Sequence, residues 1–285
     1  MSYPFWVNDF DRVKDHRIEY PAVSKIFEYP VSFWYGERSG AKTMDNLTDR
    51  LTRLMERADP YLPVLVLYNL PGRDIGQYSK GGSKTIDSYL DFVERFADGV
   101  GDKTPITVYE PDGLPHMTQL SRREAIVRMS LIKDALDILT TRSQCQVYVD
   151  VGHSNWLEAE RAGALLNRVV NDKVKGFSVN VSNFRSTEES AVWASDVQSK
   201  CMHPLGYVID TSRNGNGPYG NQWCNPPGRA LGHPPTTDTG IPGCDAFLWV
   251  KIPGESDGKR NGGPQAGRFW PEYATQLVEN SSLVK

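Results

Sequence analysis

The chain has 285 residues, a formal charge of −3 and no concentrated run of Lys or Arg, which argues against a nucleic-acid or anionic-membrane partner. No linker-like or low-complexity stretch divides it, so a single domain over residues 1–285 is expected. Its apolar runs are strand-sized, well short of the roughly 20 residues that cross a bilayer, and the opening MSYPFWVNDF lacks the basic start and apolar core of a leader.

In chain order, short β-branched or aromatic runs predict strands at residues 31–35, 64–69, 106–110, 146–150, 176–181, 206–210 and 246–251. Leu47, Leu51, Leu54 and Met55 recur at helical spacing after the first, and Ile86, Tyr89, Leu90, Val93 and Phe96 after the second. The third crossover opens with Ser121 and Glu124 in a capping-box pattern and continues through Ile126, Met129, Ile132, Leu136 and Leu139. Further helices are expected near 158–171, 187–200 and 271–280, the last with Pro271 at its first turn. Residues 211–245 are rich in Gly, Pro and Asn without a period, which reads as a functional loop. The alternation implies an α/β fold with parallel strands, a pattern shared by a closed barrel and a doubly wound open sheet.

Cys145, Cys201, Cys224 and Cys244 form no CxxC pair and have no His at ligand spacing, so a zinc site is not expected. Neither GxGxxG nor GxxxxGK[ST] follows a strand, which removes the usual signs of a dinucleotide or triphosphate. No metal and no organic cofactor are therefore expected. The 7 Trp and 13 Tyr offer flat platforms for sugars or bases, and the charge favours sugars.

Asp74, Asp112, Asp150, Asp210 and Asp257 each close or follow one of these apolar runs. The carboxyl ends of parallel strands form the site in such folds, and several acids gathered there point to acid/base chemistry on a neutral substrate. N-capping of following helices would account for some of them.

YNLPGRD (68–74), EPDGL (110–114), VDVGHSNW (149–156), VNVSNF (179–184), DTSRNGNGP (210–218), WCNPPGRALG (223–232) and KIPGESDG (251–258) occur together and in order. As a set they resemble glycoside hydrolase family 6, over roughly residues 4–280. The resemblance implies a distorted, TIM-like β/α barrel of seven parallel strands with an open substrate cleft, and an inverting endo-β-1,4-glucanase acting on cellulose or related β-glucans. Asp112 matches the family's general acid, which must hold its proton near neutral pH because the glycosidic oxygen is a poor leaving group. Asp74 matches a neighbouring carboxylate that would raise the pKa of that acid, with a turn-fixing role beside Arg73 as the alternative. Asp257 matches the base position, acting directly or through waters. Inverting pairs stand roughly 6.5 to 9.5 Å apart to admit a water.

The resemblance also assigns Asp150 to electrostatic support and His153 to substrate contact, with Val151 in place of the usual Ala. Tyr68 matches a tyrosine that crowds the sugar at the cleavage point. Trp34, Trp156 and Trp223 match stacking platforms; Trp249 reads as core. Lys251 with Glu255 matches a pair that binds glucose hydroxyls. Arg73 and Ser79 are also assigned to substrate binding by the resemblance, and Asn180, Asn183, Arg213 and Asn214 fall on rim positions, where satisfying loop backbone is an equal alternative.

Departures are visible. Ile75 stands where many members carry Cys, and Cys224 lacks its usual partner, Lys259 occupying that region, so both customary disulfides are absent. Secretion, implied by the family, is correspondingly less supported. The loops that roof the cleft in the family's cellobiohydrolases are short here, after 176–181 and after GESDG, which implies endo action by a monomer. An exo-acting cellobiohydrolase and a non-catalytic β-glucan-binding protein are the alternatives.

Overall fold

The computed structural model describes residues 5–7, 18–36, 46–76 and 81–284. Seven strands run in one sheet: β1 (Phe33–Tyr35), β2 (Val64–Leu67), β3 (Ile106–Tyr109), β4 (Gln146–Asp150), β5 (Gly176–Val179), β6 (Gly206–Asp210) and β7 (Cys244–Leu248). Every neighbouring pair is parallel and the strands stand in sequence order. Between them lie α1 (Leu47–Ala58), α2 (Ile86–Val100), α3 (Arg122–Arg142), α4 (Ala159–Val169) and α5 (Thr187–Ser199), while α6 (Pro271–Glu279) follows β7. As expected, no helix joins β6 to β7.

Two observations decide between the barrel and the open sheet. A doubly wound sheet reverses its strand order at a switch point, and this one does not. In addition, alternate strand residues face two different cores. Val64, Val66, Ile106, Val108, Tyr148, Val208, Ala246 and Leu248 meet one another in an interior cluster with Phe5. Leu65, Leu67, Tyr109, Val147, Val149, Phe177, Tyr207, Ile209 and Phe247 pack outward under the helices. Because both faces are covered, β2 reads VLVL and is buried at every position.

The sheet curls until its edges meet without a full ladder. Ser32 N–H donates to the Trp249 carbonyl at 3.2 Å, and the Trp34 indole N–H donates to the Val250 carbonyl at 2.9 Å. A third cluster seals this seam, in which Val23 and Ile26 of the 3₁₀ helix Pro21–Glu28 pack with Trp249, Ile252 and the Tyr273, Ala274 and Leu277 face of α6. Trp249 is thus core, its indole N–H bonded to the His233 carbonyl at 2.9 Å.

β2 and β7 end two or three residues before the predicted ends, where backbone N–H groups turn to carboxylates; β5 ends two residues early as the Asn180 N–H turns to the Gly152 carbonyl and the Ser182 N–H to Asp210. Asn69 N–H goes to Glu110, and Val250 and Lys251 N–H go to Asp210.

The capping box at α3 is present, with Glu124 N–H donating to Ser121 Oγ at 3.3 Å and Ser121 N–H to Glu124 Oε2 at 2.9 Å. Ser121→Ala should lower the unfolding free energy by about 1 kcal/mol, read as an earlier midpoint in a urea titration with an unchanged slope.

Candidate active site

The rim at the carboxyl ends of the strands is tied by buried carboxylates that reach across to neighbouring strand ends. Glu110, after β3, accepts Asn69 N–H at 2.9 and 3.0 Å on its two oxygens and the Tyr89 hydroxyl at 2.9 Å. Asp150, ending β4, accepts Asp112 N–H at 2.8 Å, Gly152 N–H at 3.2 Å and the Ser178 hydroxyl at 3.2 Å. Asp210, ending β6, accepts Ser182 N–H at 2.9 Å, Ser212 at 3.0 Å, Val250 at 3.3 Å and Lys251 at 3.0 Å. None of the five strand-end aspartates caps an α-helix.

These ties hold unusual backbone. Asp74, Glu110, Asp112, Asn180 and Ser182 have φ between 46° and 66°, a region that side chains disfavour and that clusters at functional sites.

Above the rim lies a cavity of about 390 Å³ lined by Asp74, Asp112 and Asp257 together with the rings of Trp34, Tyr68, Trp156 and Trp223. Burial pushes the Asp112 carboxyl well above the usual carboxylate range, with Asp150 and then Asp74 adding to the effect. Burial also raises Asp150 to about 7, against the pull of its backbone donors. These surroundings favour the protonated form of Asp112. Asp257 has the opposite surroundings: Arg213 Nη1 lies 2.9 Å away, Lys251 Nζ 3.6 Å, and Asn225 N–H donates to it at 3.1 Å. Arg213 is itself fully buried, its guanidinium 4.4 Å from the centre of the Phe184 ring.

Tyr68 meets Trp34 edge-on, ring centres 5.4 Å apart. Its phenol is raised by burial first and by Asp112 and Asp74 next, so it stays a donor. His153 lines the cavity, accepts Asn155 N–H at 3.3 Å and is pushed down to about 4 by burial and by Arg185. Asn183 and Lys251 line it too.

Other expected site residues are placed elsewhere. Asp150 is buried behind Asp112 and reaches the cavity only through it. Arg73 is buried under the Tyr68 ring, 4.3 Å from its centre, and donates to the Tyr68 carbonyl. Asn180 is fully buried and spends its amide on the Asp210 and Arg185 backbone. Arg213 and Asn214 are buried as well, Asn214 donating to the Arg185 carbonyl and to Thr187. Glu255 bridges to Phe269 and does not line the cavity. Ser79 lies outside the described residues.

The cavity also takes in residues without a sequence signal. His116 and Gln119 come from a 3₁₀ turn, and Ser182, Arg185, Asn155, Asn221 and Gln222 from loops. Turns have no period to mark which side chain faces inward, so only a chemical motif could have marked them. All four cysteines are free thiols. Among the described residues, no cluster of His, Cys, Asp or Glu could hold a metal ion, and no helix is long and apolar enough to cross a membrane.

A parallel barrel whose rim sets an aspartate pushed above the usual carboxylate range and a cation-held carboxylate in one aromatic-lined cavity has the pair of acids that the glycoside hydrolase class uses. The Glycosyl hydrolases family 6 description matches residues 8–281. The chain belongs to that family. It is 37% identical over 268 residues to endoglucanase 1 of Streptomyces sp. (strain KSM-9), covering 93% of this chain and 73% of the relative. It is 38% identical to endoglucanase A of Cellulomonas fimi, covering 91% of this chain but only 56% of that longer protein. Among solved structures, the endoglucanase Cel6 from Mycobacterium tuberculosis, in complex with a thio-linked cello-oligosaccharide, superposes with a TM-score of 0.91 at 38% identity, over 98% of this chain and 97% of that one.

Asp210→Ala would strip four backbone N–H groups of their acceptor. It should lower the unfolding free energy by about 3 kcal/mol or more, measured by guanidinium titration.

Proposed function

We propose that the protein is an endo-acting β-1,4-glucanase that inverts the anomeric centre, its 285 residues forming one monomeric catalytic domain. The observation that carries this reading is the unequal treatment of two carboxyls in one cavity. Asp112 is half-buried with Asp150 and Asp74 as charged neighbours and, among the described residues, no ion-pair partner, whereas Asp257 is held by Arg213 and Lys251.

In this reading Asp112 donates its proton to the glycosidic oxygen as the bond to the anomeric carbon breaks. A water attacks from the opposite face of the ring and gives its proton to Asp257, directly or through further waters. Asp74 keeps Asp112 protonated, and Tyr68 crowds the sugar towards a distorted ring. Trp34, Trp156 and Trp223 stack the chain, and Asn183, His153 and Lys251 bind its hydroxyls. No step calls for a metal or an organic cofactor. A polymeric substrate that cannot cross a membrane places the enzyme outside the cell, and a fold that stands without disulfides is compatible with that.

Two observations favour endo over exo action. The chain after β5 runs directly into α5, and the segment after Asp257 into α6, without an added roof. The endoglucanase relatives are 37% and 38% identical, against 27% for a cellobiohydrolase C of Aspergillus niger. A non-catalytic glucan-binding protein would have no use for an Asp112 carboxyl pushed above the usual range in the same cavity as a cation-held Asp257.

Asp112→Ala should reduce kcat on carboxymethyl cellulose by about 10³-fold, while calorimetry still detects cellotetraose binding. Proton NMR of wild-type products during early turnover should show the α-anomer first, and early β-anomer would overturn inversion. Asp74→Asn removes a negative charge that raises Asp112, so the alkaline limb of kcat/KM should move to lower pH. A pH series from acid to mildly alkaline buffer reads that shift.

A further inference from the structure

We propose that His116 determines specificity in the cleft by hydrogen-bonding a ring hydroxyl of the glucosyl unit stacked on Trp156. The inference rests on the glucanase reading above and adds a residue to it.

His116 belongs to the 3₁₀ turn Pro115–Gln119, and its backbone N–H donates to the Asp112 carbonyl at 3.0 Å. The turn that carries it is thus fastened to the acid. Gly152 lets the turn approach: a Cβ there would lie 3.0 Å from Pro115 and 3.1 Å from Trp156. The imidazole then stands edge-on to Trp156, ring centres 5.0 Å apart at 69°. Only 3% of the residue is exposed, yet it lines the cavity. Among the described residues no protein group forms a hydrogen bond with either ring nitrogen, and neither nitrogen is sealed from the cavity.

An unpartnered polar group that is nearly buried is costly, and here the open side is the cavity. Burial and the charge of Arg128 push the imidazole down to about 4, so one nitrogen donates and the other accepts. That pair matches a hydroxyl, which does both, better than a carboxylate or an ammonium. A glucosyl ring flat on the indole of Trp156 sends its equatorial hydroxyls outward from the ring edge, towards a group placed beside the indole. His116 would therefore favour chains with an equatorial hydroxyl at that point over chains that lack it or hold it axially.

The competing role is a passive brace for Trp156, and two variants separate the two. His116→Phe keeps an aromatic edge against the indole and removes both nitrogens; His116→Gln gives up the ring and keeps a donor and an acceptor. With cellotetraose, His116→Phe should lose roughly tenfold in kcat/KM, mainly through KM, and His116→Gln should recover part of it. Against a series of mono-deoxy cello-oligosaccharides, the compound lacking the partner hydroxyl should be cleaved equally by wild type and His116→Phe. The proposal is overturned if His116→Phe stays within about twofold of wild type, or if both variants lose equally on every member of the series. If the wild type cleaves no glucan, the glucanase reading fails instead. Calorimetric affinities of wild type and His116→Phe for cellotetraose then decide the His116 contact, a difference supporting it and equality refuting it.

Discussion

Buried carboxylates accepting backbone N–H groups across the carboxyl ends of the strands are the interaction on which the site depends. Glu110 joins the ends of β2 and β3, Asp150 those of β3 and β4, and Asp210 those of β5, β6 and β7. A parallel barrel leaves these N–H groups without ladder partners where the strands stop, and buried donors must be satisfied. Carboxylates with several acceptor sites satisfy them while fixing the left-handed turns at Asp112 and Ser182. Geometry at the cavity is thereby set from below, by groups that need never touch a substrate.

The same arrangement governs charge. Asp150 sits beneath Asp112 and is itself raised to about 7 by burial, so the tie that positions the acid also discourages its ionisation. Asp257 is held differently: Arg213, buried among the rim loops, donates to it and also to the Ser182 carbonyl at 2.5 Å. One barrel rim therefore gives two carboxyls of one cavity different electrostatic surroundings, Asp112 beside other carboxyls and Asp257 beside cations.

Much of this was legible in the sequence, and the gaps have physical causes. The strands were legible because residues buried on both faces form short apolar runs, and the helices because their buried faces repeat at helical spacing. Closure of the barrel was legible only through the family resemblance, since an inner and an outer apolar face look alike when written in a line. Asp74, Asp112 and Asp257 line the cavity, whereas Asp150 and Asp210 read identically in the sequence, each an Asp after a strand. What separates them is which neighbouring strand ends point N–H groups at them. Asn180, Arg213 and Asn214 were equally ambiguous: a polar residue in a rim loop faces either the cavity or the backbone beneath it, and here the backbone took all three. His116 had no pattern to reveal it, because a single 3₁₀ turn is too short to display one.

The seam has a mechanical consequence. Trp34 is at once a wall of the cavity and, through its indole N–H on the Val250 carbonyl, a rivet between the first and last strands. Lys251, the residue after that carbonyl, contacts Asp257. Any breathing of the cylinder at this joint would shift the aromatic wall and loosen the Lys251 contact with Asp257 in the same movement. Heat would therefore blunt turnover at the joint before it melts the shell, and tightening the joint is the route by which selection or design could raise the working temperature while leaving the reacting groups alone.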